Sequence, residues 1–194
     1  MARAAKAWQR LVGEHFDFLL GHGFRLDQVE TNWWATTAVY LSPTLGVEVT
    51  RSVEFDRVEI SLLRLVRGKR PEYQVWITER SLDRVLFDNV LLARAPELAA
   101  ASRSQAGLSK RAVGEQLSFW ADALRSAAPD FLEGTDGALA DGERVVRESL
   151  GDEPQELTIW LPEDATAEHE ERALEEARRN NPPEVRISIR RYAR

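Results

Sequence analysis

Residues 36–65, TTAVYLSPTLGVEVTRSVEFDRVEISLLRL, constrain the fold of this chain more than any other stretch. Apolar residues occupy every second position in two runs, Leu45, Val47 and Val49 in the first and Val58, Ile60 and Leu62 in the second. Such alternation places an apolar row on one face of a sheet and a polar row on the other. Residues 42–44 (Ser-Pro-Thr) and 54–56 supply the reversals between strands. The stretch therefore predicts three consecutive antiparallel strands with one covered face and one wetter face.

Segments with helical spacing precede and follow these strands. Residues 3–21 predict a helix whose apolar stripe has three- and four-residue spacing: Trp8, Leu11, Val12, His15, Phe16 and Leu19. We predict further helices from a cap at Ser81 to about residue 92, over 96–101, from near Ser109 to Pro129, and over 139–150. Additional strands are predicted over 24–29, from Trp33-Trp34 into the central stretch, and over 73–77.

The C-terminal residues have a strand–helix–strand pattern. Apolar residues alternate over 157–161 and again over 185–189, and a helix begins between them, with Asp164 or Thr166 as its cap. A helix crossover normally returns the chain parallel to the first strand. We therefore predict an α+β fold: an antiparallel β-meander with helices packed on one face, plus a small C-terminal β-α-β unit. The predicted domains are 1–150 for the main domain, 151–156 for a linker and 157–194 for the C-terminal unit.

Composition excludes several functional classes. The chain has no cysteine, which removes disulfides, thiol catalysis and every cysteine-based metal motif. Its formal net charge of −6 argues against a protein that coats nucleic acid. Charges are scattered through the N-terminal residues, and no apolar run approaches the ~18 residues that span a bilayer. We therefore expect no signal peptide and no membrane anchor, and a cytoplasmic location.

Motifs that carry catalysis or bind cofactors are missing from the sequence. His15 and His22 are seven residues apart, which is not a recognised metal spacing, and His169 lacks the second histidine of H-E-x-x-H. Glu54 and Asp56 could act as an acid–base pair in principle, but turn and surface carboxylates are the simpler interpretation. We predict no catalytic residue, no cofactor and no metal ligand.

The six tryptophans are the most informative side chains for function. Trp8 and Trp120 lie on apolar helix stripes and are expected in the core. The candidates for binding a partner are four further tryptophans and two arginines that share a strand face with one of them: Trp33, Trp34, Trp76, Trp160, Arg186 and Arg190. An aromatic and arginine face is typical of an interface hot spot, and also of a surface that stacks single-stranded nucleic acid. A second core between sheet and helices is the alternative.

A basic cluster follows the central strands. Its members are Arg64, Arg67, Lys69 and Arg70, at a strand end and in the turn after it. They could contact an anionic partner, and a solvated turn is the simpler interpretation.

Two segments, AVYLSPTLGVEVTRSVEFDRVEISLL and WADALRSAAPDFLEGTDGALADGERVVRESL, carry a resemblance to known proteins. With phrases such as Leu45-Gly46-Val47 and residues 129–132 (Pro-Asp-Phe-Leu), residues 10–150 resemble small bacterial α+β proteins of the immunity or accessory type found beside toxin and defence genes. This resemblance implies a non-enzymatic protein that binds another protein. It supplies no active-site residues and does not extend to the C-terminal unit.

These observations favour a non-enzymatic protein-binding module that forms a hetero-complex or joins a larger assembly, without membrane or nucleic-acid partners. Two alternatives remain open from the sequence: a structural subunit of a larger assembly, and an enzyme that uses a carboxylate pair in an unrecognised pocket.

Overall fold

The computed structural model of the chain describes residues 2–33, 35–52, 57–71, 83–104, 112–150, 156–162, 166–180 and 186–192. The chain divides into two compact units. The first consists of Met1–Glu72 and Asp83–Val146, and the second of Tyr73–Leu82 and Arg147–Arg194. The predicted strand over 73–77 and most of the predicted linker lie outside the described residues, so the predicted domain boundaries stay predictions.

A five-stranded antiparallel sheet forms the centre of the first unit. Its strands follow one another in chain order: β1 (Arg25–Thr31), β2 (Ala35–Leu41), β3 (Leu45–Ser52), β4 (Val58–Arg64) and β5 (Arg84–Leu86). The reversal between β2 and β3 is closed by Ser42, whose backbone N–H donates to the Leu45 carbonyl at 2.8 Å. The Ser42 hydroxyl oxygen also accepts the Leu45 N–H at 3.1 Å. The predicted meander is therefore confirmed, and the reversal predicted at 54–56 lies outside the described residues.

Seven helices are described between residues 2 and 150: α1 (Ala2–Phe16), α2 (Phe18–Gly21), α3 (Phe87–Arg94), α4 (Pro96–Ser104), α5 (Val113–Ala127), α6 (Pro129–Leu132) and α7 (Gly137–Leu150). Residues 147–150 of α7 belong to the second unit. The single helix predicted over 3–21 is divided at Asp17. There the hydrogen bonding tightens, because the Leu20 N–H donates to the Asp17 carbonyl at 3.1 Å, three residues back.

The helix predicted from Ser81 was placed too early. Residues Arg84–Leu86 form β5 instead, and α3 begins at Phe87. Val85 lies opposite Leu62 of β4 and is buried, so pairing with the neighbouring strand and burial on the sheet override the local helical pattern. Ser81 itself lies outside the described residues.

Helices cover one face of the sheet and form the main core. Val47, Val49, Ile60 and Leu62 are fully or almost fully buried there, together with Trp8 and Trp120 as predicted. Two hydrogen bonds fix α5 against the start of β4. The Trp120 indole N–H donates to the Val58 carbonyl at 3.0 Å, and the Gln116 side-chain oxygen accepts the Val58 N–H at 2.9 Å.

The second face of the sheet, predicted to be the wetter of the two, carries polar side chains such as Glu48 and Thr50 but also buried apolar ones. It carries a smaller apolar cluster of Val39, Leu41 and Leu63, with Leu65 packed against it. Gly46 is required beside this cluster, because a Cβ atom at that position would lie 2.8 Å from Leu41 Cδ2 and 3.1 Å from Leu63 Cδ1.

The second unit contains β6 (Glu156–Pro162), α8 (Ala167–Asn180) and β7 (Arg186–Tyr192). The two strands pair in parallel, as a helix crossover requires. Thr166 caps α8, since its hydroxyl oxygen accepts the His169 N–H at 3.3 Å. The predicted α+β fold, with an antiparallel meander, helices on one face and a C-terminal β-α-β unit, is confirmed.

Candidate functional site

The turn between β1 and β2 presents the most exposed large apolar side chain among the described residues. Trp33 is 88% exposed. The turn around it is closed by two hydrogen bonds, from the Ala35 N–H to the Asn32 side-chain oxygen at 2.7 Å and from the Asn32 N–H to the Ala35 carbonyl at 3.0 Å. The prediction that Trp33 opens a strand was therefore wrong, because it stands in the turn. Trp34 lies outside the described residues.

The strand that leads to this turn lies at the edge of the sheet. β1 pairs only with β2 among the described strands, so its other side faces away from the sheet. Its exposed side chains are polar or charged: Arg25, Asp27, Gln28 and Glu30. The pairing shifts by one residue between Leu26 and Gln28, which is the irregularity of a β-bulge. Charged side chains and a bulge both discourage edge-to-edge pairing with another sheet.

A groove of about 650 Å³ lies between α1 and the first strands, and we refer to it as the α1 groove. Its lining combines the exposed side of α1, the break after it and two strand residues: Lys6, Gln9, Arg10, Gly13, Glu14, Asp17, Leu20, Leu26 and Tyr40. Leu20 is 50% exposed, and Leu26 is half-buried. The α1 groove therefore has apolar surface from Leu20 and Leu26 and charged groups from α1.

Tyr40 is the deeply buried member of this lining. Only 1% of the residue is exposed, and its ring packs in the main core. Burial, reinforced by the negative charge of Asp17, raises the pKa of Tyr40 to about 12. The phenol is therefore neutral at physiological pH and can both donate and accept a hydrogen bond. The side-chain hydrogen bonds of the described residues include none to the Tyr40 hydroxyl.

Asp17 contributes a carboxylate to the α1 groove from the break between α1 and α2. Its side chain is exposed, and it caps neither helix, since no capping hydrogen bond is made by its carboxylate. Gly13 gives this carboxylate room, because a Cβ atom at Gly13 would lie 3.3 Å from Asp17 Oδ1. The ion pairs of the described residues involve Glu14, which faces Arg10 at 3.9 Å, and do not involve Asp17.

A buried charge network lies on the second face of the sheet. Glu48 in β3 is only 1% exposed, and its carboxylate pairs with Arg70 through Oε1 and with Arg84 through Oε2. Arg70 also donates to Glu30 Oε1 at 2.9 Å. Burial tends to lower the pKa of Arg70, but the carboxylates of Glu48 and Glu30 outweigh it, so the pKa of Arg70 lies above its usual value. This pairing explains how a carboxylate is buried at a position predicted to face water.

Arg64, at the end of β4, also pairs with carboxylates of the protein itself. It donates to Glu143 Oε1 at 2.8 Å, lies 3.1 Å from Asp136 Oδ2 and faces Asp83 at 3.5 Å. The predicted basic cluster is therefore divided. Arg64 and Arg70 bind carboxylates of the protein itself, while Arg67 and Lys69 are exposed in the turn.

Arg94, the last residue of α3, connects this helix to α5, α6 and α7. Its Nε donates to Asp141 Oδ2 at 2.7 Å, and its Nη2 donates to Asp130 Oδ2 at 3.0 Å. Its Nη1 donates to the Ala127 carbonyl at 3.3 Å. These hydrogen bonds hold the pKa of Asp130 below its usual value, against the opposing effect of burial. The three networks, of Arg70 with Arg84, of Arg64 and of Arg94, therefore stabilise the fold, and their carboxylates are engaged by the protein itself.

The remaining predicted site residues belong to the second unit or to undescribed positions. The parallel register places position Trp160 of β6 opposite Arg190 of β7, and Glu156 opposite Arg186. Positions 160, 186 and 190 therefore share one face of the two-stranded sheet. Arg190 is exposed there. Trp76 and the acid pair Glu54 and Asp56 lie outside the described residues.

Among the described residues, no group of three or more His, Asp or Glu side chains could hold a metal ion. His15 is half-buried on α1, His22 is the C-cap of α2 and His169 is exposed on α8. In the part of the chain that the structure covers, no helix has the length and apolar character needed to cross a membrane.

The α1 groove is the feature that the sequence analysis missed. One signal for it was present, because Tyr40 occupies an apolar position of the alternating β2 pattern. A tyrosine on a core face needs an outlet or a partner for its hydroxyl. Asp17 within the apolar run of residues 16–20 was a second signal, since a carboxylate there must reach solvent.

Comparison with known proteins gives no family for this chain. No protein-family model matches it, and no curated protein and no solved structure is similar enough to count as a match.

Proposed function

We propose that this chain is a non-enzymatic protein-binding module and that Trp33 is the centre of its contact surface. The observation that carries this proposal is an indole 88% exposed at the tip of a hydrogen-bonded turn. Tryptophan is enriched among the residues that dominate interface energies. An exposed apolar side chain of this size has no stabilising role in the fold around it, and a partner surface would give it one.

The free energy available from burying the Trp33 indole in an interface supports a binding role. A buried tryptophan removes roughly 150–250 Å² from water. At about 25 cal/mol per Å², this corresponds to roughly 4–6 kcal/mol before the entropic costs of association. The turn is already closed by Asn32 and Ala35, so less conformational entropy is lost when the indole is fixed by a partner.

Charge indicates the kind of partner. The net charge of −6 would steer the protein toward a basic partner over long distances. Together with the resemblance of residues 10–150, this supports a role in the cytoplasm as an immunity or accessory component of a bacterial conflict or assembly system.

A structural subunit of a larger assembly is a second candidate, and the β-α-β unit favours it. Its parallel sheet has two strands among the described residues, β6 and β7. Parallel sheets are usually larger and covered on both faces. A neighbouring chain in an assembly could extend or cover this sheet.

The experiment compares the affinity for the partner of the wild-type full chain and two variants. The wild-type protein is used to capture its partner from a lysate of the cells that encode it, and the identified partner is then purified. Calorimetry measures its affinity for wild type, Trp33→Ala and Leu86→Ala. Leu86 is the matched control, because it is an apolar side chain 48% exposed on the same unit.

We expect Trp33→Ala to weaken binding by at least about 30-fold, equivalent to ~2 kcal/mol, and Leu86→Ala by less than about 3-fold. Equal weakening by the two variants, or none by Trp33→Ala, would contradict the assignment of the surface. Turnover of a substrate by the purified chain alone would contradict the non-enzymatic proposal.

A further inference from the structure

The α1 groove has two ends of opposite charge. Lys6 and Arg10 line one end, and Glu14, one turn after Arg10, and Asp17, directly after the end of α1, line the other. Arg10 and Glu14 face each other at 3.9 Å with side chains 84% and 58% exposed. Such an exposed pair contributes little and is easily exchanged for another partner. The carboxylate end is therefore accessible to a cation from outside.

Two polar groups in the α1 groove lack a hydrogen-bond or ion-pair partner among the described residues. One is the Asp17 carboxylate, which is exposed and takes part in none of the ion pairs described above. The other is the neutral Tyr40 hydroxyl, at the end of a ring buried in the core. Asp17 and Tyr40 both line the α1 groove, so one ligand in the groove can reach both residues. A ligand with several hydrogen-bond donors and a positive charge would suit both groups.

The apolar residues of the groove suit the rest of such a ligand. Leu20 is half exposed and Leu26 is half-buried, and both contribute to the lining. Long basic side chains place their methylene groups on apolar surface of this kind and keep the charged head in a polar environment. The α1 groove, of about 650 Å³, is open to solvent, so a side chain of another protein can enter it.

We infer that the α1 groove binds an arginine side chain of the partner protein. The methylene stem lies on Leu20 and Leu26, and the guanidinium lies between the Asp17 carboxylate and the Tyr40 hydroxyl. Arginine fits better than lysine because its planar fork donates to two groups at once, whereas an ammonium acts as a point charge. This inference rests on the proposed function, since it names the chemistry of the partner.

The test uses the full chain and a small probe in place of the partner. N-acetyl-arginine methylamide is titrated into ¹⁵N-labelled protein, and chemical shifts are followed at Gly13, Asp17, Leu26 and Tyr40. N-acetyl-citrulline methylamide, which has nearly the same shape without the charge, is titrated in parallel. N-acetyl-glutamate methylamide tests for an anion at the Lys6 and Arg10 end.

The arginine probe is expected to shift the groove resonances with a dissociation constant in the roughly millimolar range, as for other small fragments. The citrulline probe is expected to bind at least about 5-fold more weakly, because it lacks the charge-assisted hydrogen bonds. Asp17→Asn should weaken the arginine probe about 5-fold and Tyr40→Phe about 3-fold. Asp27→Asn is the matched control: it removes an exposed carboxylate of β1 outside the groove lining and should change binding less than about 2-fold.

Three results would overturn the inference. The first is the absence of shifts at the groove with the arginine probe. The second is equal weakening by Asp17→Asn and Asp27→Asn, which would mean general attraction to an acidic surface. The third is tighter binding of the glutamate or citrulline probe than of the arginine probe.

Failure here is distinguishable from failure of the proposed function. If a partner binds through Trp33 while Asp17→Asn leaves its affinity unchanged, the protein-binding proposal stands and the arginine site is wrong. If the arginine probe binds the groove while no protein partner depends on Trp33, the site stands and the proposed contact surface is wrong.

Discussion

The two faces of the five-stranded sheet are both largely buried, but side chains of different chemistry fill them. On the helix-covered face, Val47, Val49 and Leu62 are fully buried among apolar neighbours. On the second face, Gly46, Glu48 and Thr50 occupy the intervening positions of the same β3 strand. One strand therefore contributes a purely apolar row to one side and a mixed row with a buried carboxylate to the other.

This difference determines which interactions stabilise each face. Apolar burial is non-directional and depends on area and close packing. The second face depends on directional pairs, such as Glu48 with Arg70, and these pairs stabilise only when both members are present. We therefore expect the first face to respond to lost volume and the second to lost charge or lost hydrogen bonds.

The largest effect is expected from Trp120→Ala on the helix-covered face. The indole is fully buried, packs against Phe87 and Phe119 and donates to the Val58 carbonyl. Removing it leaves a cavity and an unpaired carbonyl, so we expect the free energy of unfolding to fall by about 3–5 kcal/mol. Urea denaturation followed by circular dichroism measures this. Trp33→Ala is the control and should change stability by less than about 0.5 kcal/mol, because its side chain is exposed.

A smaller but still large effect is expected from Glu48→Gln on the second face. The amide keeps the shape of the side chain and removes the charge that faces Arg70 and Arg84. We expect the free energy of unfolding to fall by about 3 kcal/mol, because the half-buried guanidinium groups of Arg70 and Arg84 lose the buried carboxylate that faces them, and Arg70 keeps, among the described residues, only its pair with Glu30.

The matched control for Glu48→Gln is Glu59→Gln. Glu59 lies on β4 with its side chain 45% exposed and faces Arg57 at 3.5 Å. Solvent screens this pair, so the change should be below about 0.5 kcal/mol. Similar values for the two variants would mean that the second face is not stabilised by its buried charges.

The contrast between the faces also explains which parts of the fold the sequence predicts. The strands β2, β3 and β4 follow from alternation alone, because Val47, Val49 and Ile60 mark the apolar row without reference to the rest of the chain. Burial of Glu48 does not follow, because it depends on Arg70 and Arg84, which are distant in sequence. A carboxylate in an alternating strand is by default a solvent-facing residue.

Local pattern also failed where pairing with another strand decides the structure. Residues 84–86 fit a helical pattern from Ser81, but Val85 pairs opposite Leu62 and becomes part of the sheet. Trp33 fits a strand, but Asn32 closes a turn around it.

The candidate site was predictable only in part. The exposed Trp33 was among the candidates because of its residue type. The α1 groove was not, since it requires α1, the break at Asp17 and the strand residue Tyr40 to come together. The spacing of residues within one helix or strand does not show how that element packs against others in the tertiary structure.

The third effect concerns Tyr40, whose ring belongs to the helix-covered face while its hydroxyl belongs to the α1 groove. Burial and then the charge of Asp17 raise the pKa of Tyr40 to about 12, from 10.0 in the unfolded chain. Between these values the folded protein holds a proton that the unfolded chain has lost. Its contribution to stability is therefore complete below pH 10 and is lost as the pH rises toward 12, by roughly 2–3 kcal/mol in total.

Tyr40→Phe removes this dependence. Urea denaturation of wild type and Tyr40→Phe at pH 9, 10 and 11 should give a stability difference that shifts in favour of the variant as the pH rises. At pH 7 the two proteins should be nearly equally stable, because the hydroxyl makes no side-chain hydrogen bond with the described residues. A constant difference across this pH range would mean that the phenol ionises as easily in the folded protein as in the unfolded chain.

The smallest expected effect concerns a single hydrogen bond between two neutral hydroxyl groups on the second face. Thr37 of β2 and Thr50 of β3 lie directly opposite each other, and their hydroxyl oxygens are 3.0 Å apart. Either single change to valine leaves the other half-buried hydroxyl without this partner, whereas the double change removes both. A double-mutant cycle should therefore give a coupling of about 0.2–1 kcal/mol, with the double variant more stable than the sum of the single changes predicts.

The same cycle with Val47→Ala and Leu62→Ala measures the coupling of an apolar cross-strand pair on the helix-covered face, for comparison with the threonine pair. A coupling of zero for the threonine pair would mean that water satisfies the two hydroxyls equally well. The directional interactions that stabilise the second face would then be those of the Glu48 network.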